Sequence, residues 1–538
     1  MKTFFRNIPV NRLVLGLSLC LFFACKEDSK LTKDHLVFRY NEHANISSLD
    51  PAFAKDQRNI WACNQLYNSL VRLNDSLQVE PDLAKTWNIS EDQKTYTFFL
   101  QKEVFFHQHP IFGKDSTRAF LAKDVVYSFN RLRSPKIASP GSWVMQSVEE
   151  VIAINDSVVK IRLKEAFPAF LGLLSMKFCS VVPTEMENLD FRSSPIGTGP
   201  FYFKRWKANE KLVFRKNKRY FEKDENGEQL PYLEAVAITF LPDKQSEFLQ
   251  FIQGNLDFLS GLDPSYKDEI ITAKGKLRKK HASKIAMQKT PYLNTEYLGI
   301  FLEGNNPALA SAKIRKAINI GFDRQKMVTY LRNGIGIPAN YGFIPKGLPG
   351  FSDKIYYTYQ PEKAKALVTA YHKETGKTPQ IKISTNASYL DLCEYIQQEL
   401  RHIGIQVEIE IMTPSTLRQQ RSAGKLESFR ASWIADYPDA ENYLSLFYSK
   451  NFSPNGPNYT HFSDSAFDAL YEKAKYTDDS NKRQQLYKQM DAIIMNKAPI
   501  VPLYYDEVVR FKQSNVQGLG INPINLLNLS RVKKTPGN

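Results

Sequence analysis

Hydrophobic and polar positions along this chain switch repeatedly between a period of two and a period near 3.6, the pattern of strands alternating with helices. Residues 381–411 show both in one compact unit. Ile381 and Ile383 flank Lys382 in a short strand, and Ser388, with Asp391 three residues on, is placed to cap a helix. Cys393, Ile396, Leu400 and Ile403 then share one helical face, and Gly404 supplies the stop. Ile405, Val407, Ile409 and Ile411 alternate with Gln406, Glu408 and Glu410, as in a half-buried strand. Val159, Ile161 and Leu163 alternate with Lys160 and Arg162 after an Asn155-Asp156-Ser157 turn. Val125, Val126, Phe129 and Leu132 form a helical stripe after Asp124, and Pro361 opens a helix carrying Ala364, Leu367, Val368 and Tyr371. The whole predicts a mixed α/β protein with several sheets.

The first residues follow a different pattern. Lys2, Arg6 and Arg12 precede Leu13 to Ala24, twelve apolar or small residues without a break. At about 1.5 Å per residue this run falls far short of the ~30 Å of bilayer hydrocarbon, so it reads as a signal peptide rather than a membrane span. It ends at Cys25, where Lys26-Glu27-Asp28 bring charge at once. Leu21-Phe22-Phe23-Ala24-Cys25 resembles a lipobox, in which the enzyme cuts before the cysteine and its sulfur carries acyl chains. Two or more such chains anchor firmly, at ~0.8 kcal/mol per buried CH2. Lys26-Glu27-Asp28 is similar to a surface-export signal of some Bacteroidetes lipoproteins, and equally reads as a solvated tether.

At 538 residues the chain exceeds one core, so two or three domains are expected. No Pro-, Gly- or Ser-rich linker separates them. Without residues 1–24 the net charge falls from +16 to +13. The densest basic runs, 215–219 and 274–280, sit in no nucleic-acid module, so they read as solvated surface and no nucleic-acid partner is expected. Cys63, Cys179 and Cys393 allow at most one disulfide and form no CxxC pair.

Motifs for catalysis are missing: there is no HExxH, GxSxG or GxxxxGK[ST]. His107-Gln108-His109 is a conceivable metal half-site, but no Cys or acidic cluster completes it, and it reads as an exposed loop. Gly334-Ile335-Gly336 lacks the third glycine of a dinucleotide fingerprint, and Asp478-Asp479 reads as a helix cap. Neither catalysis, a metal nor a cofactor is expected.

Short phrases spread along the chain carry a resemblance. They include Leu49-Asp50-Pro51-Ala52, residues 65–71 (QLYNSLV), 81–87 (PDLAKTW), 122–128 (AKDVVYS), 195–201 (PIGTGPF), Arg315-Lys316-Ala317-Ile318 with Asp323-Arg324, and 498–504 (APIVPLY). In this order they resemble the peptide-, oligopeptide- and nickel-type solute-binding proteins of ABC importers. The family's His-Asp-Gly-like loop departs here to His107-Gln108-His109. The resemblance implies a type II periplasmic-binding fold, two α/β lobes around a ligand cleft plus an inserted domain. One lobe would be built from 25–66, 194–290 and 506–538, the additional domain from 67–193, and the second lobe from 291–505. It also implies a monomer that captures a peptide and delivers it to ABC transporter permease subunits, while held to the membrane on the periplasmic side or the cell surface.

The stretch 421–439 looks like the family's ligand-binding strand. The Asp three residues after its Trp pairs with a peptide α-ammonium in peptide-binding members, and that role maps onto Asp436. Burying such an ammonium is costly unless it is paired, so the assignment is physically apt. Two arginines used for ligand carboxylates in oligopeptide binders map onto Arg430 and Arg421, whose guanidinium forks suit a carboxylate, although either could be a salt-bridge partner. Backbone groups of Ser432 and Ile434, with an extended stretch near Lys55-Asp56-Gln57, would take the peptide as an added strand. Trp433 either lines a side-chain pocket or sits in the core. Asp391 stands where some oligopeptide binders carry a basic residue, which would favour a longer or basic peptide. Other family ligands (dipeptides, nickel chelates, haem, sugars) and a surface receptor without a transporter are the competing readings. Mass spectrometry of the mature N-terminus is expected to find acyl chains on Cys25; an unmodified first residue would rule the anchor out.

Overall fold

Two long strands, Ile285–Ile300 and Ile500–Gln513, run antiparallel side by side and organise the molecule. The computed structural model describes residues 36–536 apart from Pro264. Cys25 and Lys26-Glu27-Asp28 therefore lie outside the described residues. At one end the long pair meets Phe258–Ser260; at the other it continues through Ser428–Ile434, Gln380–Thr385 and Gln406–Ile411. Cores cover both faces of this sheet, one rich in residues 298–405 and one in residues 417–500.

Two further sheets form the other half. Val37–Asn41 pairs in parallel with Ala235–Thr239, followed by Lys211–Lys216 and Phe201–Lys207. Ala84–Ile89, Thr95–Leu100, Val158–Leu163 and Val148–Asn155 make an antiparallel sheet. A single hydrophobic core joins these two sheets and takes in Leu519, Leu527, Leu529 and Val532 from near the C-terminus. The returning segment is bound by polar contacts as well. In the helix Gln57–Leu66, Trp61 Nε1 donates to Asn525 O at 2.8 Å, and Asn64 and Gln65 both donate to Leu527 O. Arg510, fully buried on a long strand, donates to Asn525 Oδ1, Gly520 O and Leu526 O at 2.7–3.0 Å.

The periodicities locate most elements. Cys393, Ile396, Leu400 and Ile403 are buried along the helix Leu390–His402, and Gly404 follows at φ +93°, a left-handed conformation that favours glycine. Its start differs from expectation. Asn386, not Ser388, accepts the capping bond, from Ser388 N–H at 3.0 Å, and begins a 3-10 turn, Ala387–Tyr389. Asp391 accepts from its neighbour Leu392 N–H instead of completing a capping box. An Asx turn at Asn386 satisfies the first donors before Ser388 can act. Along Gln406–Ile411 burial fades until Ile411 is 53% exposed, because this strand is the sheet edge. Asp479 caps the helix Ser480–Lys497. The three described cysteines are buried free thiols. Among the described residues no helix is long and apolar enough to cross a membrane.

His107 is not in an exposed loop. It is buried, with Nε2 3.0 Å from Gly199 O and Nδ1 accepting from Gly197 N–H. A Cβ at either glycine would collide with the Leu66 backbone, so the 195–201 phrase is a close backbone crossing that His107 locks. Burial pushes the imidazole down to about 4. Below the ordinary value of about 6.5 the unfolded chain binds a proton that the folded chain refuses, so stability falls as pH drops from about 6.5 to about 4, by on the order of 3 kcal/mol. The stability advantage of the wild type over His107→Gln, measured by urea unfolding, is expected to shrink across that window; a constant difference would refute this.

Candidate ligand-binding site

A cavity of about 370 Å³ lies where the two halves meet. Ile434, Ala435 and Asp436 form one wall; Tyr292, from a long strand, is beside them. The facing walls come from residues 54–57 and the helix that follows, from Ser175, Met176 and Lys177, and from Ile524 to Ser530.

The strand Ser428–Ile434 positions the first wall. One edge pairs with the long strand from Asn294↔Ile434 to Ile300↔Ser428. The other edge pairs with Gln380–Thr385 only at Ser428 and Phe429, and beyond them it has no strand partner among the described residues. Past Ile434 the chain turns inward, with Ala435 N–H donating to Leu293 O at 2.9 Å. Asn442 then clamps the turn. Its Oδ1 accepts from Trp433 Nε1 at 2.9 Å and from Asp436 N–H at 3.3 Å, while its Nδ2 donates to Asp436 Oδ2 at 3.4 Å.

Asp436 faces the cavity and is open to it, yet enough protein surrounds the carboxyl that burial pushes it above the usual carboxylate range. The amide of Asn442 is its one side-chain donor among the described residues, and no Lys, Arg or His lies within ion-pair distance. An acceptor in this state attracts a cation with N–H donors.

The other expected site residues fall elsewhere. Ile434 lines the cavity; Ser432, Trp433, Arg430 and Arg421 do not. Trp433 packs into the core on the opposite strand face, tied to Asn442. Arg430 is buried, ion-paired with buried Glu296, and stacked on Tyr389 with its guanidinium carbon 3.2 Å from the ring centroid. Next to this pair Arg332 donates to Tyr504 OH at 2.9 Å and meets Asp506 at 2.7 Å. Arg421 lies over the Tyr459 ring, 4.1 Å from its centroid. Lys55, Asp56 and Gln57 line the cavity; the backbone of Asp56 is extended (φ −130°, ψ 159°), and its side chain caps the helix Gln57–Leu66 through Asn59 N–H. Asp391 is exposed and away from the cavity.

Contacts between the halves close around this space. Tyr437 is buried in the core of the half that contains residues 37–240, near the rings of Trp143 and Phe167. Glu165 accepts from Tyr476 OH at 2.9 Å and pairs with Lys475 at 3.2 Å.

The sequence model described as bacterial extracellular solute-binding proteins, family 5 Middle, matches residues 78–455. This chain belongs to that family. Among curated relatives of this family 5 protein, the dipeptide-binding protein of Escherichia coli is 27% identical over 487 residues, covering 85% of this chain and 87% of its own. The heme-binding protein A of Haemophilus influenzae is 29% identical, covering 82% and 81%. The periplasmic binding protein DppA of Helicobacter pylori, solved in complex with peptide STSA, superposes with a TM-score of 0.75 at 26% identity, covering 93% of this chain and 98% of that one. HbpA2 of Haemophilus parasuis gives 0.80 at 25% identity, covering 93% and 100%. The fold is that of the type II periplasmic-binding proteins.

Asn442 and Lys177 carry no signal in the sequence that marks them for the site. Asn442 lies six residues after Asp436, and an Asn-Tyr-Leu stretch carries no signal of a clamp. Replacing it by leucine, Asn442→Leu, leaves Trp433 and Asp436 short of partners and is expected to cost about 1–3 kcal/mol in urea unfolding; a loss below about 0.5 kcal/mol would show the clamp to be idle.

Proposed function

We propose that this family 5 protein is a lipid-anchored receptor that binds short peptides in the cavity beside Asp436 and hands them to an ABC importer. Asp436 carries the proposal. A carboxylate turned toward a cavity, held by one amide and without a cation, fits a peptide's α-ammonium as the missing partner. The open edge of Ser428–Ile434 supports main-chain recognition, in which the peptide adds as a strand and its side chains are left to the cavity walls. A volume of about 370 Å³ favours short ligands. The names of relatives agree, since dipeptide- and di/tripeptide-binding proteins recur among them. In this reading lobe I comprises residues 25–66, 194–290 and 506–538, the additional domain 67–193 and lobe II 291–505, with the anchor at Cys25. Arg430 and Arg421 have no ligand contact in it, because Glu296 and the Tyr459 ring engage them.

Ligand released from gently purified protein is expected to be short peptides by mass spectrometry; a single chelate, haem or sugar would overturn the reading. By calorimetry, Asp436→Ala is expected to weaken peptides with a free α-amine by about 30-fold or more and to leave N-acetylated peptides nearly unchanged. Wild-type affinity is expected to fall as acid protonates Asp436, and Asp436→Asn to lack that dependence. Equal affinity of Asp436→Ala for amine-bearing peptides would remove the anchor.

A further inference from the structure

The wall contributed by Ser175, Met176 and Lys177 holds a charge that the amine anchor does not use. Lys177 is 8% exposed and lines the cavity. Among the described residues it makes no side-chain hydrogen bond, and no carboxylate lies within 4.0 Å of its ammonium. Of the other charges on the cavity wall, Lys55 is exposed to solvent, Asp56 caps a helix, and Arg72 and Asp82 are engaged. Arg72, also on the cavity wall, is ion-paired with Glu222. Asp82 is buried, and its oxygens accept from Asn68 Nδ2 at 2.7 Å and Ser69 N–H at 3.0 Å. Burial holds the Lys177 ammonium below the usual lysine value; Asp82 is the largest through-space attraction opposing that, but it gives the ammonium no acceptor. A buried cation that lines the cavity thus has no protein acceptor for its N–H donors, an arrangement that is costly unless something arriving in the cavity accepts from them.

We infer that Lys177 binds a carboxylate of the ligand, so that the cavity holds a cation at Asp436 and an anion at Lys177. This rests on the peptide reading and deepens it: the preferred ligand is a short peptide whose carboxylate, from the C-terminus or an acidic side chain, reaches the wall of the additional domain. A carboxylate matches the donors better than a carbonyl, because charge-assisted hydrogen bonds are roughly twice as strong as neutral ones. The two carboxylate sources are separable by peptide chemistry.

The test is calorimetry of the full mature chain with Ala-Ala-Ala, its C-terminal amide, and tripeptides carrying Glu or Gln at each position in turn. Wild type is expected to favour either the free C-terminus over the amide, or Glu over Gln at one position, by about 10- to 100-fold. The first result identifies the C-terminus as the source and the second a side chain. Lys177→Met, which replaces an unpaired buried cation by an apolar chain of similar length, is expected to fold with unchanged or higher Tm and to lose the preference. Lys177→Arg is expected to retain most of it. A preference of equal size in wild type and Lys177→Met, or no preference in wild type, would overturn the inference while leaving Asp436-dependent peptide binding intact. Failure of every peptide to bind wild type would overturn the peptide reading and this inference with it.

Discussion

The two long strands, Ile285–Ile300 and Ile500–Gln513, form the ladder on which the large sheet is built and from which the cavity takes Tyr292. A ladder of sixteen and fourteen residues would be stiff if it were regular throughout. It is not regular: register shifts between Pro291 and Thr295 and again between Glu296 and Tyr297. Proline has no N–H to give to a ladder, so the interruption begins at a residue that enforces it. Tyr292, inside the interruption, is the long-strand residue that lines the cavity. The place where pairing breaks is therefore also where the strand gives a side chain to the site, and a bend there alters the cavity directly.

Charges near the cleft sort into those with partners and those without. Arg430 with Glu296, Arg332 with Asp506 and Arg72 with Glu222 are satisfied within the protein. Such pairs hold geometry and have little left for a ligand. Asp436 on the strand wall and Lys177 on the facing wall are without an ion-pair partner among the described residues, and of the cavity's lysines Lys177 is the buried one while Lys55 is exposed. Placing the unsatisfied groups at the cavity surface concentrates binding free energy where a ligand arrives, at some expense to the empty protein.

Local chemistry was legible where one element decides it. The buried stripe of Leu390–His402, the glycine that ends it and the Asp479 cap depend on residues within a few positions of one another. Asp436, picked out through the family resemblance of its strand, lines the cavity. What could not be read depended on distant partners. Arg430 has the right chemistry for a carboxylate, but only the fold reveals that Glu296, 134 residues earlier, supplies it. His107 looks like a loop residue until Gly199, 92 residues later, is brought against it. Lys177 gave no periodic or motif signal, because a lysine's burial is decided by what packs over it. Ser388 was a miss of a different kind, where two capping residues competed two positions apart and the earlier one won.

The half that holds Val37–Asn41 is completed by residues 516–532, far along the chain from the strand it supports. Trp61, Asn64 and Gln65 wait for Asn525 and Leu527, and Leu529 and Val532 fill the same core. A chain delivered N-terminus first, from a ribosome or through a translocation channel, carries this half unfinished until residues 519–532 have emerged. Contacts separated by more than 460 residues carry a large closure entropy and form slowly. The contiguous parts can fold while delivery continues, but the cavity, walled partly by Ile524 to Ser530, comes into being last. A protein cut off before Ile524 would lose that wall, so ligand binding reports on whether residues 524–530 are in place.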